Sequence, residues 1–394
     1  MDYGFHLLQK ISHSLKTNKV VLLCTSASAW QNEFVASVVG GRNSVDFSNT
    51  MIREQALRQP EAFVDKFKER TALYNLEYVL DVLPCLSAAD VPNGTFVAVI
   101  HQRYRISTMV EDLKGVALIE LPLHPIDKEP FLPSSSLVIH PVEYSSGNLY
   151  EKILDGKVSA DKFVDVESRD KFYAGYLKNF LQRIIKDLTT VSDDMKFHRF
   201  LCAVASGTSR MVNYANLGNA ADISSPTAKQ WLAFLEGTGV VYLLNPIEHG
   251  SLKRVAKAPK VYFADTGLAA YLLRINNVDE LNESAFFEAL FENYVVNAIR
   301  DSYISNGFEV NISYFRDSNA KEINLLLSCN NVIYPIDIRR GAFETGKMRK
   351  KFRIIKAAEQ DRVTKIGVGC VIGLGKRLEP MADDLWYVPV GSLG

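Results

Sequence analysis

Three stretches predict an α/β protein with a parallel-sheet domain first, a helical middle ending in a hairpin, and a second α/β domain last. Residues 19–24 (KVVLLC) are an apolar run that breaks into a polar turn, the form of a short strand covered on both faces. Ser225 and Pro226 open a helix, since a hydroxyl caps free amides and proline needs no donor in the first turn. Ala228, Trp231, Leu232 and Leu235 recur there at helical spacing, and Gly237 and Gly239 end the run. Asn330 and Asn331 tolerate positive φ and separate two strand-like runs, which predicts a two-residue hairpin.

Taken in order, residues 20–24, 96–100 and 116–120 read as buried strands of the first sheet, with helices between them. Residues 132–147 are rich in Pro and Ser and mark the exit from that domain. The pattern from 149 to 188 is helical, with Tyr173, Tyr176, Leu177 and Phe180 on one apolar face. Helices at 197–206 and 214–221 precede the Ser225 helix. A strand at 240–244, a turn through Asn245, Pro246, His249 and Gly250, and a basic return strand at 253–263 complete a winged helix-turn-helix. A helix at 288–303 then buries Leu290, Phe291, Tyr294, Val295 and Ala298. The Asn330–Asn331 hairpin, a helix carrying Arg349, Lys350, Lys351 and Arg353, and strands at 365–372 and 385–390 close the chain. The expected domains are 1–147, 148–192 (a helical linker or lid), 193–275 and 280–394.

Of 394 residues, 47% are hydrophobic and 23% charged, the balance of a protein with sizeable cores. Lys and Arg number 45, as do Asp and Glu, which excludes a polyacidic or uniformly basic nucleic-acid-coating chain. The five cysteines are scattered and lack a CxxC pair, so neither a disulfide framework nor a zinc ribbon is expected. No apolar run approaches the roughly 18 residues of a membrane span. The compartment expected is the cytoplasm, with no membrane partner.

The segments NYANLGNAADISSPTAKQWLAFLEGTGVVYLL and KRVAKAPKVYFADTGLAAYLL resemble the middle of a prokaryotic family of AAA-superfamily ATPases. The resemblance implies an N-terminal P-loop domain, a winged helix and a C-terminal restriction-endonuclease-like domain. Such an ATPase carries GxxxxGK[ST] after its first strand, whose amides and lysine hold phosphate and whose hydroxyl holds magnesium. Here Thr25 and Trp30 stand at the glycines, Gln31 at the lysine and Asn32 at the hydroxyl. Aligned on Pro84, the acidic pair that should end a strand becomes Tyr78 and Val79. The polar sensor falls on His101 and Gln102, and the arginine of the segment LKGVALIELPLHPID is missing. Four parts of one mechanism are absent together, so the loop is expected to keep its shape without a nucleotide, and no cofactor is expected.

Hairpin register sets Asn324 opposite Asp337 and Glu322 opposite Arg339, all on one face by strand alternation, with Ile323, Leu325, Leu327, Tyr334, Ile336 and Ile338 facing the core. This cluster is similar to the PD-(D/E)XK constellation, which implies a relic nuclease face at Glu292, Asn324, Asp337 and Arg339. Asn324 lacks the charge of a tight hard-cation ligand and Arg339 cannot serve as a base, so no metal is expected. The favoured alternative is a Glu322–Arg339 ion pair within a polar network. A DNA-reading winged helix would use Ser225, Thr227, Lys229 and Gln230 in the groove and Lys253, Arg254, Lys257 and Lys260 on phosphates. Its footprint is thin, because Lys229 is the sole cation on the reading helix. The expected function is a catalytically inactive binding or assembly factor, with a protein partner or self-association. A DNA-binding protein using the winged helix and nuclease-like domain is the second reading, and a weak metal-dependent nuclease the third.

Overall fold

The structure, a computed structural model, describes residues 5–26, 28–101, 106–124, 129–133, 148–159, 163–187, 194–247, 258–317, 319–355 and 364–393. Five strands, β1 (Val20–Cys24), β2 (Asn43–Asp46), β3 (Thr71–Tyr74), β4 (Phe96–Ile100) and β5 (Val116–Glu120), form a parallel sheet in the order β2-β3-β4-β1-β5. β1 and β4 are buried at every residue, as central strands covered on both faces must be. The coverings are α1 (Phe5–Thr17), α2 (Ala29–Val39), α3 (Thr50–Arg58), α4 (Pro60–Asp65), α5 (Leu83–Ala88) and α6 (Ser107–Glu111). One core gathers Phe47, Leu76 and Phe96, and the other Leu7, Leu23 and Phe34, one on each side of the sheet.

The middle of the chain holds α7 (Leu149–Asp155), α8 (Val166–Asp187), α9 (Asp194–Ser206), α10 (Tyr214–Ala221) and α11 (Ser225–Gly237). An antiparallel pair follows, β6 (Val241–Leu244) with β7 (Lys260–Phe263), then α12 (Thr266–Leu272) and α13 (Val278–Glu283). The α11 cap is Ser224 rather than Ser225: its Oγ accepts the Thr227 amide at 3.2 Å, and the proline sits one position deeper. Residues 248–257, which include the expected turn residues His249 and Gly250, lie outside the described residues.

The last part is built on α14 (Phe287–Ser305), buried almost all round, and a seven-stranded mixed sheet. Its strands are β8 (Ile312–Arg316), β9 (Glu322–Cys329), β10 (Val332–Ile338), β11 (Lys365–Ile366), β12 (Gly369–Gly373), β13 (Glu379–Ala382) and β14 (Leu385–Pro389), ordered β13-β14-β12-β10-β9-β8 with β11 beside β10. The β9–β10 turn has Asn330 at φ 51° and Asn331 at φ 63°, and pairs Val332 with Cys329 and Ile336 with Leu325, the register the turn predicts. α15 (Thr345–Phe352) covers one face through Met348 and Phe352. On the other face, α14 joins a single apolar core that runs from Leu149 to Leu393.

One expectation fails in the first domain. The segment placed at the acidic strand end, with Tyr78 and Val79, is a 3-10 helix over Leu76–Val82. The strand lies earlier, at β3, which ends at Tyr74 and is followed by Asn75, neither of them acidic. Pro84 sits inside the first turn of α5, so it marks a helix start and gives no register for a strand.

Candidate functional site

The loop between β1 and α2 is closed by the chain itself. Ser28 caps α2 and Gln31 answers it in a capping box, so two of the free amides at the helix start are satisfied reciprocally. The Gln31 side chain is fully buried, and its Oε1 accepts from Thr25 Oγ1 at 2.9 Å and from the amides of Ser26 and Ser28, each at 3.0 Å. Its Nε2 donates to the Leu121 carbonyl beyond β5 at 3.0 Å. A carbonyl oxygen thus occupies the amide cradle that would otherwise receive an anion. Trp30 stacks on Phe34 with ring centroids 4.6 Å apart, and Asn32 continues the helix from the Ser28 carbonyl. At the end of β4, His101 Nδ1 lies 3.2 Å from the Thr25 carbonyl.

The loop is also covered from outside. Gly239, in the α11–β6 turn at φ 72°, approaches so closely that a Cβ there would meet Ser26 Oγ at 2.3 Å. Beside this contact is a cleft of about 790 Å³, bordered by Ser26, Glu120, Gly239, Tyr242 and Arg300. Arg300 is paired with Glu120 at the end of β5 and lies over the Tyr242 ring at 4.9 Å. Burial alone would weaken the Arg300 charge, but Glu120 and Asp301 raise its pKa above the ordinary arginine value.

The second cluster forms where β7, α14 and β9 meet. Lys260, only 2% exposed, reaches Glu292 Oε1 at 2.6 Å and Glu322 Oε1 at 2.8 Å. Tyr262 donates its phenol to Glu292 Oε1 at 2.6 Å, Asn324 Nδ2 donates to Glu292 Oε2 at 2.6 Å, and Arg316 donates to Glu322 Oε2 at 3.0 Å. Burial lowers the Lys260 pKa, yet Glu292 and Glu322 more than offset it, so the ammonium titrates above the ordinary lysine range. Two carboxylates and two cations leave this cage neutral, with no electrostatic pull on a divalent ion.

The four positions of the expected nuclease face therefore divide into two pairs. Glu292 meets Asn324, whose Oδ1 also accepts the Ile338 amide at 3.2 Å. Asp337, fully buried, is held by Arg339 and by Lys351 of α15. Glu322 pairs with Lys260 and Arg316, so the expected Glu322–Arg339 bridge is replaced by two others. Among the described residues no group of three or more His, Cys, Asp or Glu side chains could hold a metal ion. Lys260 itself was expected on a DNA phosphate, and its burial removes it from any such contact.

Of the expected reading residues, Ser225, Lys229 and Gln230 are exposed at the start of α11 and Thr227 is half-buried. Lys253, Arg254 and Lys257 lie outside the described residues. Sequence reasoning missed the use of Gln31, although the spacing Ser28-x-x-Gln31 is a readable capping-box signal. The partners of Lys260, 32 and 62 residues away, left no local signal.

Two families match parts of the chain: "Domain of unknown function (DUF8612)" over residues 159–279 and "Domain of unknown function (DUF4143)" over residues 287–393. The chain is similar to two mycobacterial proteins, "Uncharacterized protein Mb2031c" of Mycobacterium bovis and "Uncharacterized protein Rv2008c" of Mycobacterium tuberculosis. Each is 26% identical over 219 residues, covering 56% of this chain and 47% of the relative. The chain spans about half the length of the curated relatives it matches. Among solved structures it is similar to the Walker-type ATPase PABY2304 of Pyrococcus abyssi, with 11% identity and a TM-score of 0.35, covering 67% of this chain and 94% of that one. The strand order given above rests on this chain's own pairing.

Proposed function

We propose that this protein is a non-catalytic relative of AAA-type ATPases that acts by binding or assembly, with both of its ancestral reaction sites closed by its own side chains. The single observation that carries the reading is the Gln31 Oε1, which takes the Ser26 and Ser28 amides that a nucleotide phosphate would need. The resemblance supplies the P-loop identity of this loop, and the all-parallel order β2-β3-β4-β1-β5 with the loop leaving central β1 supports it. On the same reading, residues 193–275 are a winged helix, since three helices followed by an antiparallel pair have that succession. Residues 280–394 are a nuclease-like domain with Lys260 in place of a metal ion. The neutral Lys260 cage and the two cations on Asp337 count against the weak-nuclease reading. A cytoplasmic location belongs to this reading; no helix among the described residues is long and apolar enough to cross a membrane.

The test is a melt of the whole chain with millimolar ATP and magnesium. A ligand at a hundredfold its dissociation constant stabilises by about 2.7 kcal/mol, a readily measured shift. No shift is expected. A saturable rise in melting temperature would show that Gln31 yields to phosphate, and would end the proposal.

A further inference from the structure

The chain is neutral overall, yet residues 339–353 contain seven Lys and Arg against one acid. They follow β10 and form α15, on the face of the last sheet opposite α14. Part of this charge is neutralised locally: Asp337 serves Arg339 and Lys351 together, Glu344 pairs with Lys347, and Asp384 pairs with Arg349. Lys350 and Arg353 are exposed and have no carboxylate partner among the described residues. One buried carboxylate shared by two cations leaves a positive charge while fixing both side chains in place. Arg339, Lys347 and Lys351 border a concavity of about 460 Å³, whose rim also carries Phe343, Met348 and the Glu344 carboxylate that pairs with Lys347.

We propose that this strip is a binding surface for the phosphodiester backbone of duplex DNA. The concavity takes one phosphate between Arg339, Lys347 and Lys351, and Lys350 and Arg353 meet the flanking ones. The guanidinium of Arg339 offers a planar donor fork suited to phosphate. An acidic protein partner fits less well. Among the described residues the large apolar side chains of the strip, Phe343, Met348 and Phe352, are half-buried or buried, whereas protein interfaces anchor on accessible apolar or aromatic groups. A phosphate backbone needs only cations. The proposal goes beyond the reading of the closed reaction sites and is independent of it, because the ATP melt reports on the Gln31 loop alone.

The experiment is fluorescence anisotropy of the full chain on a labelled random-sequence 24-base-pair duplex, from about 50 to 200 mM salt. The variants are Lys350→Glu with Arg353→Glu, and separately Lys229→Glu on α11. Wild type is expected to bind in the non-specific range of roughly 10⁻⁴ to 10⁻⁶ M, and the double variant to lose at least about tenfold while its salt slope falls by about 1.8. Lys229→Glu is expected to change neither. Both altered side chains are exposed and unpaired among the described residues, so an unchanged melt verifies the fold. Unaltered binding by a folded double variant would overturn the proposal. So would loss confined to Lys229→Glu, or displacement of the duplex by polyglutamate at equal charge, which would make the partner an acidic protein.

Discussion

Lys260 Nζ lies 2.6 Å from Glu292 Oε1, joining the return strand of the middle region to the long helix of the last domain, with the Lys260 side chain only 2% exposed. Glu322 and Tyr262 complete the contact, so the Glu292 carboxylate is met by an ammonium and a phenol within the protein. Removing one partner of such a buried pair typically costs about 3 to 5 kcal/mol, because the other charge is left unpaired. Lys260→Met is expected to destabilise the chain by that amount in urea denaturation, and Glu292→Gln added to it should recover part of the loss. A Lys260→Met effect within about 0.5 kcal/mol would mean that the cage is wet.

The same ammonium sets an alkaline limit. Its pKa lies above the ordinary lysine value of 10.5, because Glu292 and Glu322 outweigh the effect of burial. The folded state therefore holds this proton more tightly than the unfolded one. Its contribution is fully present below 10.5 and is lost as pH rises through the folded value. The Tyr262 phenol, raised well above its ordinary 10.0 by burial and by Glu292, acts in the same direction. Urea midpoints should hold steady from about pH 7 to 9 and fall above about 10.5, less steeply in Lys260→Met. Equal alkaline slopes in the two proteins would contradict the assignment.

What the sequence revealed was local, and what it concealed was distant. Asn330 and Asn331 fix the hairpin register because both must take positive φ, and Trp231, Leu232 and Leu235 bury one side of α11 as their spacing demands. That Thr25, Trp30, Gln31 and Asn32 differ from the glycines, lysine and hydroxyl of a phosphate loop was legible as residue types. That Gln31 fills the cradle required the loop geometry, since three donors meet one oxygen. Lys260 misled for a similar reason. In sequence it ends a run of basic residues, and only tertiary packing puts two glutamates beside it.

Gln31 offers a direct check on the closed loop. Gln31→Ala leaves the Ser26 and Ser28 amides and the Thr25 hydroxyl without the acceptor they now share. A buried donor left unpaired costs about 1 to 3 kcal/mol. With water entering the vacated space, a total loss of about 2 to 4 kcal/mol is expected by chemical denaturation. Gln31→Glu keeps the acceptor but sets a carboxylate oxygen against the Leu121 carbonyl, so it should also destabilise. A neutral result for Gln31→Ala would show that the loop donors have other partners.

Gly239 and Ser26 test the cover over that loop. In Gly239→Ala the new Cβ would meet Ser26 Oγ at 2.3 Å, and φ 72° is strained for any side chain. Removing the hydroxyl relieves the first term alone, since Ser26 Cβ would then lie 3.6 Å away, an ordinary contact. Gly239→Ala should therefore be destabilising, and Ser26→Ala in the same chain should recover all but the backbone strain, about 1 kcal/mol. Strict additivity of the two substitutions would mean that the α11–β6 turn does not rest on the loop.

A last prediction concerns metal. Asn324→Asp with Arg339→Lys restores three acids and a lysine at the positions of the nuclease resemblance, and would be expected to gain manganese if those positions converged on an open space. Their space is already filled: Glu292 is taken by Lys260 and Tyr262, and Asp337 is held by Lys351 as well as Arg339. The double variant still has the Lys260 ammonium where a cation would sit, and the lysine introduced in place of Arg339 would remain positive beside Asp337. Titration calorimetry with manganese should show no binding by wild type or by the double variant. Saturable heat from the double variant would mean that a metal ion displaces the ammonium, and the Lys260 cage would have to be read as an exchangeable cation site.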